Sequence, residues 1–189
     1  MEKAIKLLVW GLLILLIDIK INTFDLVHDV FGYILLYKGL QFLPHSKWAL
    51  YAKTSAIILA LLSVFEVLGV GNINLNEIDK DFTWSIAAVG IISIIALFFH
   101  MNLLSALLFV IPNEDIQSSV GKFRRFYFGV QLMIILTLPA TLVLRDMAAE
   151  YLIFIIISGL IVEIFYIVNI NSFKQYIPSS ELLNQTPPA

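Results

Sequence analysis

Hydrophobic residues along this chain come in long blocks rather than in the alternation of a half-buried strand, and six apolar segments can be drawn, roughly 4–21, 24–43, 54–70, 84–111, 126–144 and 151–170. Segments four and five are the cleanest. No Asp, Glu, Lys or Arg occurs between Asp81 and Glu114, or between Arg125 and Arg145. Helical runs of that length, at about 1.5 Å per residue, suffice to cross a hydrocarbon layer of ~30 Å. The first two segments are weaker, with eleven uncharged residues from Leu7 to Ile17 and eight between Asp29 and Lys38. The pattern therefore predicts an all-α polytopic membrane helix bundle of six transmembrane helices, provided that Lys6 and Lys38 snorkel to the interface. The alternative is four spanning helices preceded by an N-terminal re-entrant hairpin.

Composition agrees with the pattern. The 189 residues are 60% hydrophobic and 14% charged, with a mean hydropathy of +0.92, whereas soluble domains carry roughly a quarter charged residues. Six crossings leave no room for a soluble domain. We expect one transmembrane domain over residues 1–171 and a short, flexible cytoplasmic tail, 172–189, rich in Pro, Ser and Asn. The N-terminus has the basic start and apolar run of a signal peptide but no small-x-small cleavage site, and reads as a retained first helix.

Charge distribution sets the expected orientation. Lys3, Lys6, Lys38, Lys47, Lys53, Lys122, Arg124, Arg125 and Lys174 fall on one side of the alternating segments, and Lys20, Lys80 and Arg145 on the other. A split of nine to three puts both termini in the cytoplasm of a multi-pass cell-membrane protein. The loop that ends in Lys122, Arg124 and Arg125 is expected to meet lipid headgroups, with Phe123, Phe126 and Tyr127 beside it, although topology alone also explains its charge.

Two places hold candidate chemistry. On the outer side, Asp18, Asp25, His28 and Asp29 lie between the first two segments, and Glu66 lies about 6 Å below the same boundary. If segment two is helical from residue 24, then Asp25, His28, Asp29 and Gly32 share one face. Asn22 or Thr23 would cap that helix and Asp25 would answer the positive end of its dipole, leaving Asp29 a full turn further in. Asp-x-x-His-Asp has residue types suited to a metal or a proton relay, but short patterns of this kind are common by chance.

The second place is Glu163, twelve residues past Tyr151 and so near the bilayer centre. A carboxylate there costs about 2.5 to 3.5 kcal/mol on insertion scales, so Glu163 should be paired, protonated or turned to water. Gly159 and Tyr166 flank it on one helical face, and the Tyr166 hydroxyl is the simplest partner. A three-plus-three inverted repeat would pair Glu163 with Glu66, but the flanking residues match poorly. His100, counted from Trp84, falls near the cytoplasmic interface and is expected to be structural, as is Asn102. Pro139 predicts a kink in segment five.

With no cysteine, thiol chemistry and Cys-ligated metals are excluded. Hydrolase, zinc-protease and phosphate-loop motifs are lacking as well. No cofactor and no nucleic acid is expected; the partners are the lipid bilayer and another membrane protein or a second copy.

Phe24, Asp25, Leu26, Asp29, Gly32 and Tyr33 form a stretch F-D-L-x-x-D-x-x-G-Y. It resembles a pattern near the start of an uncharacterised family of small multi-pass membrane proteins of low-GC Gram-positive bacteria. The likeness covers about residues 17–43 and implies location and fold, with no established activity. That family commonly has proline where this chain has His28, a departure that argues against a metal site built on His28. The first functional expectation is a non-enzymatic accessory, sensory or immunity-type membrane component. The second is a small transporter or ion-coupled protein using Glu163 with Glu66 or Asp29. The third is an intramembrane metal-dependent enzyme on Asp25, His28, Asp29 and Glu66.

Overall fold

The computed structural model describes residues 1–17, 20–21, 24–25, 29–67, 80–111, 114–140 and 148–176. Its helices are α1 (Glu2–Leu16), α2 (Asp29–Gln41), α3 (Lys47–Val67), α4 (Lys80–Leu108), α5 (Glu114–Thr137) and α6 (Ala148–Ser172), followed by one 3-10 turn, Phe173–Tyr176. Between α1 and α2, the two-residue strands β1 (Lys20–Ile21) and β2 (Phe24–Asp25) pair antiparallel, with Lys20 opposite Asp25.

Helix starts differ from the apolar boundaries because capping, not hydropathy, decides where a helix begins. Helix α3 begins seven residues before the apolar segment, where the Ala49 N–H donates to Ser46 Oγ at 3.1 Å. Helix α5 begins at Glu114, with Glu114 and Asp115 in its first turn against the positive end of the dipole. The polar stretch 114–125, expected as a loop, is therefore three turns of helix. At the other end, the Leu138 N–H bonds Ile135 O at 3.3 Å in a tightened last turn, and Pro139 has no N–H to continue the ladder. The described α5 thus stops at Thr137 before Pro139, where a kink was expected.

Each helix packs on its neighbour in sequence, and α6 returns to α1. The pairs run antiparallel. Gly39 of α2 lies beside Ala4 of α1 and Gly32 beside Gly11; Tyr51 of α3 meets Phe98 of α4; Ser105 of α4 meets Arg124 of α5; Gln131 of α5 meets Glu163 of α6. The start of α1 and the Phe173–Tyr176 turn share one end of the bundle, where Phe173 is buried in the core.

One continuous core joins Ile5 and Leu8 of α1, Leu36 and Leu40 of α2, Leu59 of α3, Leu103 and Leu104 of α4, Tyr127 of α5 and Ile170 of α6. The outer surface is also greasy, with Phe126, Leu136 and Phe154 each more than 60% exposed. Water does not tolerate so much contiguous apolar surface, whereas lipid does. Among the described residues, three helices are long and apolar enough to cross a membrane, within Lys47–Val64, Ile86–Leu108 and Glu150–Tyr176, which marks the chain as a membrane protein. Helices α1 and α2, of 15 and 13 residues, measure about 22 and 20 Å and fall short of a full crossing by themselves.

Those two short helices are held backbone to backbone. A Cβ built on Gly11 would sit 2.8 Å from the Gly32 carbonyl oxygen and 2.7 Å from Leu36 Cγ, and one on Gly39 would sit 2.9 Å from Leu8 Cγ. Only a residue without a side chain allows this approach, which is the small-residue packing that membrane helices use.

Candidate functional site

Helices α4, α5 and α6 bring together His100, Tyr127, Gln131, Glu163 and Tyr166. On α5, Arg124, Tyr127 and Gln131 recur at three and four residues and so form one polar stripe, continued by the buried Ile135 and Leu138. Packing of that apolar continuation turns the stripe inward. On α6, Glu163 lies one turn from the buried Tyr166 and two from the buried Ile170. His100 is buried on α4.

Glu163 Oε1 accepts two hydrogen bonds, from the Tyr127 hydroxyl at 2.6 Å and from Gln131 Nε2 at 2.8 Å. The first is as short as hydroxyl donors to a charged carboxylate usually are. Glu163 Oε2 faces His100 Nε2 at 3.8 Å, with the two side chains 25% and 11% exposed. That spacing is roughly 1 Å too long for an N–H···O bond. The Tyr166 hydroxyl donates to the His100 carbonyl at 2.9 Å, tying α6 to α4 directly.

Aromatic rings close around the imidazole. The Tyr166 and Tyr127 rings meet His100 edge-on at 4.7 and 5.7 Å between centroids, and Phe123 packs on both tyrosines. Toward the start of α5, Arg124 Nη1 donates to Ser105 Oγ at 2.7 Å, while its buried Nε has no hydrogen-bond partner among the described residues. Ser105 Oγ itself donates to Met101 O. The result is a polar column about 10 Å tall, the rise of seven residues of α5.

His100 lies eight residues from the end of α4 and Glu163 nine from the end of α6, which puts both about 12 to 14 Å from the same end of the bundle. Tyr166 is not the partner of Glu163; its hydroxyl goes to the His100 backbone, and Tyr127 takes that role. Arg124, expected in a loop, is already in α5, which turns its guanidinium toward Ser105. Tyr127 and Gln131 were missed. Their signal was an amide and a hydroxyl four residues apart in an apolar segment, which a search for formal charge passes over.

Of the outer candidates, only Asp29 has a described side chain. Asp18 and His28 lie outside the described residues, as do the side chains of Asp25 and Glu66. Asp25 is in β2, not in a helix, so it shares no helical face with Asp29. Helix α2 begins at Asp29 itself. Asp29 therefore occupies the first turn expected for Asp25, and the dipole and unpaired N–H groups account for it there. Among the described residues no group of three His, Asp or Glu side chains is placed to hold a metal ion.

Comparison with known families, with curated proteins and with solved structures finds no match for this chain.

Proposed function

We propose that this chain is a multi-pass component of the cell membrane, with six crossings and both termini in the cytoplasm, that acts through helix contacts as a non-enzymatic accessory or sensory subunit. The carrying observation is that one carboxylate, Glu163, joins α6 to α5 by two side-chain hydrogen bonds and faces α4 through His100. A change at this single group alters three helix contacts together, which suits a part that reports or relays a state. Its partners are the bilayer and a second membrane protein or a second copy of the chain.

Spin labels on the exposed Phe128 of α5 and Ile161 of α6 test this in lipid nanodiscs. The inter-label distance should lengthen or broaden in Glu163→Gln relative to the parent. Unchanged distances would remove the relay.

A small ion-coupled transporter is the second reading, favoured by the quarter of the Glu163 side chain that remains exposed. Selective ion or solute flux through the purified protein alone in liposomes would establish it in place of the first.

A further inference from the structure

We propose that His100 and Glu163 form a binding site for one exchangeable proton, held between His100 Nε2 and Glu163 Oε2. The hydrogen-bond inventory around the pair leads there. Glu163 Oε1 is filled by Tyr127 and Gln131, which leaves Oε2 for whatever faces it. That is Nε2 of a buried imidazole. At 3.8 Å Nε2 makes no hydrogen bond to Oε2, so the hydrogen of the neutral ring is assigned to Nδ1.

A neutral His100 in that tautomer presents a bare lone pair at Nε2, and an ionised Glu163 presents another at Oε2. Two acceptors then face each other with no donor between them among the described side chains, a costly arrangement where they are largely buried. One proton resolves it. Placed on Oε2 it makes a neutral acid donating to Nε2; placed on Nε2 it makes an imidazolium donating to the carboxylate. Either way the pair gains one proton and one bond, and the 3.8 Å gap closes by roughly 1 Å. Release to water restores the two acceptors and the open spacing.

The surroundings favour a proton over a metal ion. Two protein donors are fewer than the three or four that zinc sites use, and a proton needs only two. Of the other polar groups near the pair, Tyr127 and Gln131 on α5 donate to Glu163, Tyr166 on α6 donates to the His100 carbonyl, and Arg124 on α5 donates from Nη1 to Ser105. Helix α1 packs on α6, its charged Glu2 and Lys6 paired with each other at 2.7 Å, and α3 meets α4 with Tyr51 at Phe98. Tyr127 and Gln131 are positioning residues, since they fix which carboxylate oxygen is free.

The test uses the full chain in lipid nanodiscs, with ring-labelled histidine followed by 15N NMR and carboxyl bands followed by infrared difference spectroscopy across pH. The expected result is that His100 carries its hydrogen on Nδ1 at high pH, and that its Nε2 resonance and one carboxyl band change in a single shared step. In Glu163→Gln that band should vanish and the proton affinity of His100 should change at least tenfold. Tyr127→Phe, which keeps the pair, should move the shared step without splitting it. Independent titration of the two groups, a hydrogen on Nε2 with Nδ1 bare, or a shift of the His100 resonances on adding zinc or sodium at fixed pH would each overturn the proposal. If Glu163→Gln does not fold, the tautomer and the shared step in the parent protein still decide it. The inference does not rest on the proposed relay role, which the inter-label distances test separately.

Discussion

Tyr127 on α5 and Glu163 on α6 are joined by a 2.6 Å hydrogen bond between residues 36 apart in sequence, and Gln131 reaches the same carboxylate oxygen from one turn further along. A hydrogen bond to a charged group contributes about 1.5 to 3 kcal/mol, and removing one donor leaves its acceptor underbonded. Tyr127→Phe should therefore destabilise the protein by roughly 2 kcal/mol, and Gln131→Leu by less than that. The two together should cost less than the sum, because both act on one oxygen. Denaturant unfolding of the detergent-solubilised protein, run as a double-mutant cycle, reads this directly; strict additivity would mean that the two donors do not share an acceptor.

The described glycines divide into two kinds. Gly11→Ala places a Cβ 2.8 Å from the Gly32 carbonyl oxygen and must push α1 and α2 apart, at a cost of about 1 to 3 kcal/mol for overpacking. At Gly159 a Cβ meets nothing within 4 Å, and alanine there should be neutral or stabilising by up to about 1 kcal/mol through helix propensity. Melting temperatures of the two variants should move in opposite directions, and a stable Gly11→Ala would refute the close approach of the two helices.

Arg124 carries a buried Nε with no partner among the described residues and donates from Nη1 to Ser105 Oγ. Ser105→Ala should accordingly destabilise by about 1 to 3 kcal/mol, since it strips a second donor of the same guanidinium. Arg124→Met, which removes the charge and keeps the volume, should be neutral or stabilising. If Ser105→Ala proves silent while Arg124→Met is severely destabilising, the guanidinium has a partner other than Ser105.

Because the chain has no cysteine, single-cysteine accessibility maps its sidedness without background. Lys47→Cys, Lys122→Cys and Tyr176→Cys should react with a membrane-impermeant thiol reagent only after the cytoplasmic face is opened, and Glu150→Cys should react in intact cells. Lys122 and Glu150 reacting from the same side would remove the crossing between them and the six-span arrangement with it.

Much of the fold was legible in the sequence and little of the site. The charge-free runs after Asp81 and after Arg125 mark α4 and the apolar part of α5, and the depth of Glu163 marks it as a group in need of partners. Both readings follow from local transfer cost, which accumulates along the chain. Hydropathy says nothing about capping, however. It therefore missed the polar first turns of α3 and α5, and misplaced Asp29, which opens α2 instead of lying inside it.

By itself, the sequence determined that this chain is a helical membrane protein with an acid held deep inside it, because the cost of placing each residue in lipid depends on that residue alone. Which groups meet that acid was decided only in the tertiary structure. The pairing of Glu163 with Tyr127, Gln131 and His100 depends on the rotation of three helices about their axes and on their offset along the bundle. Those are set by packing of residues far apart in sequence, such as Ile135, Leu138 and Ile155, whose identities carry no trace of the polar contacts they align.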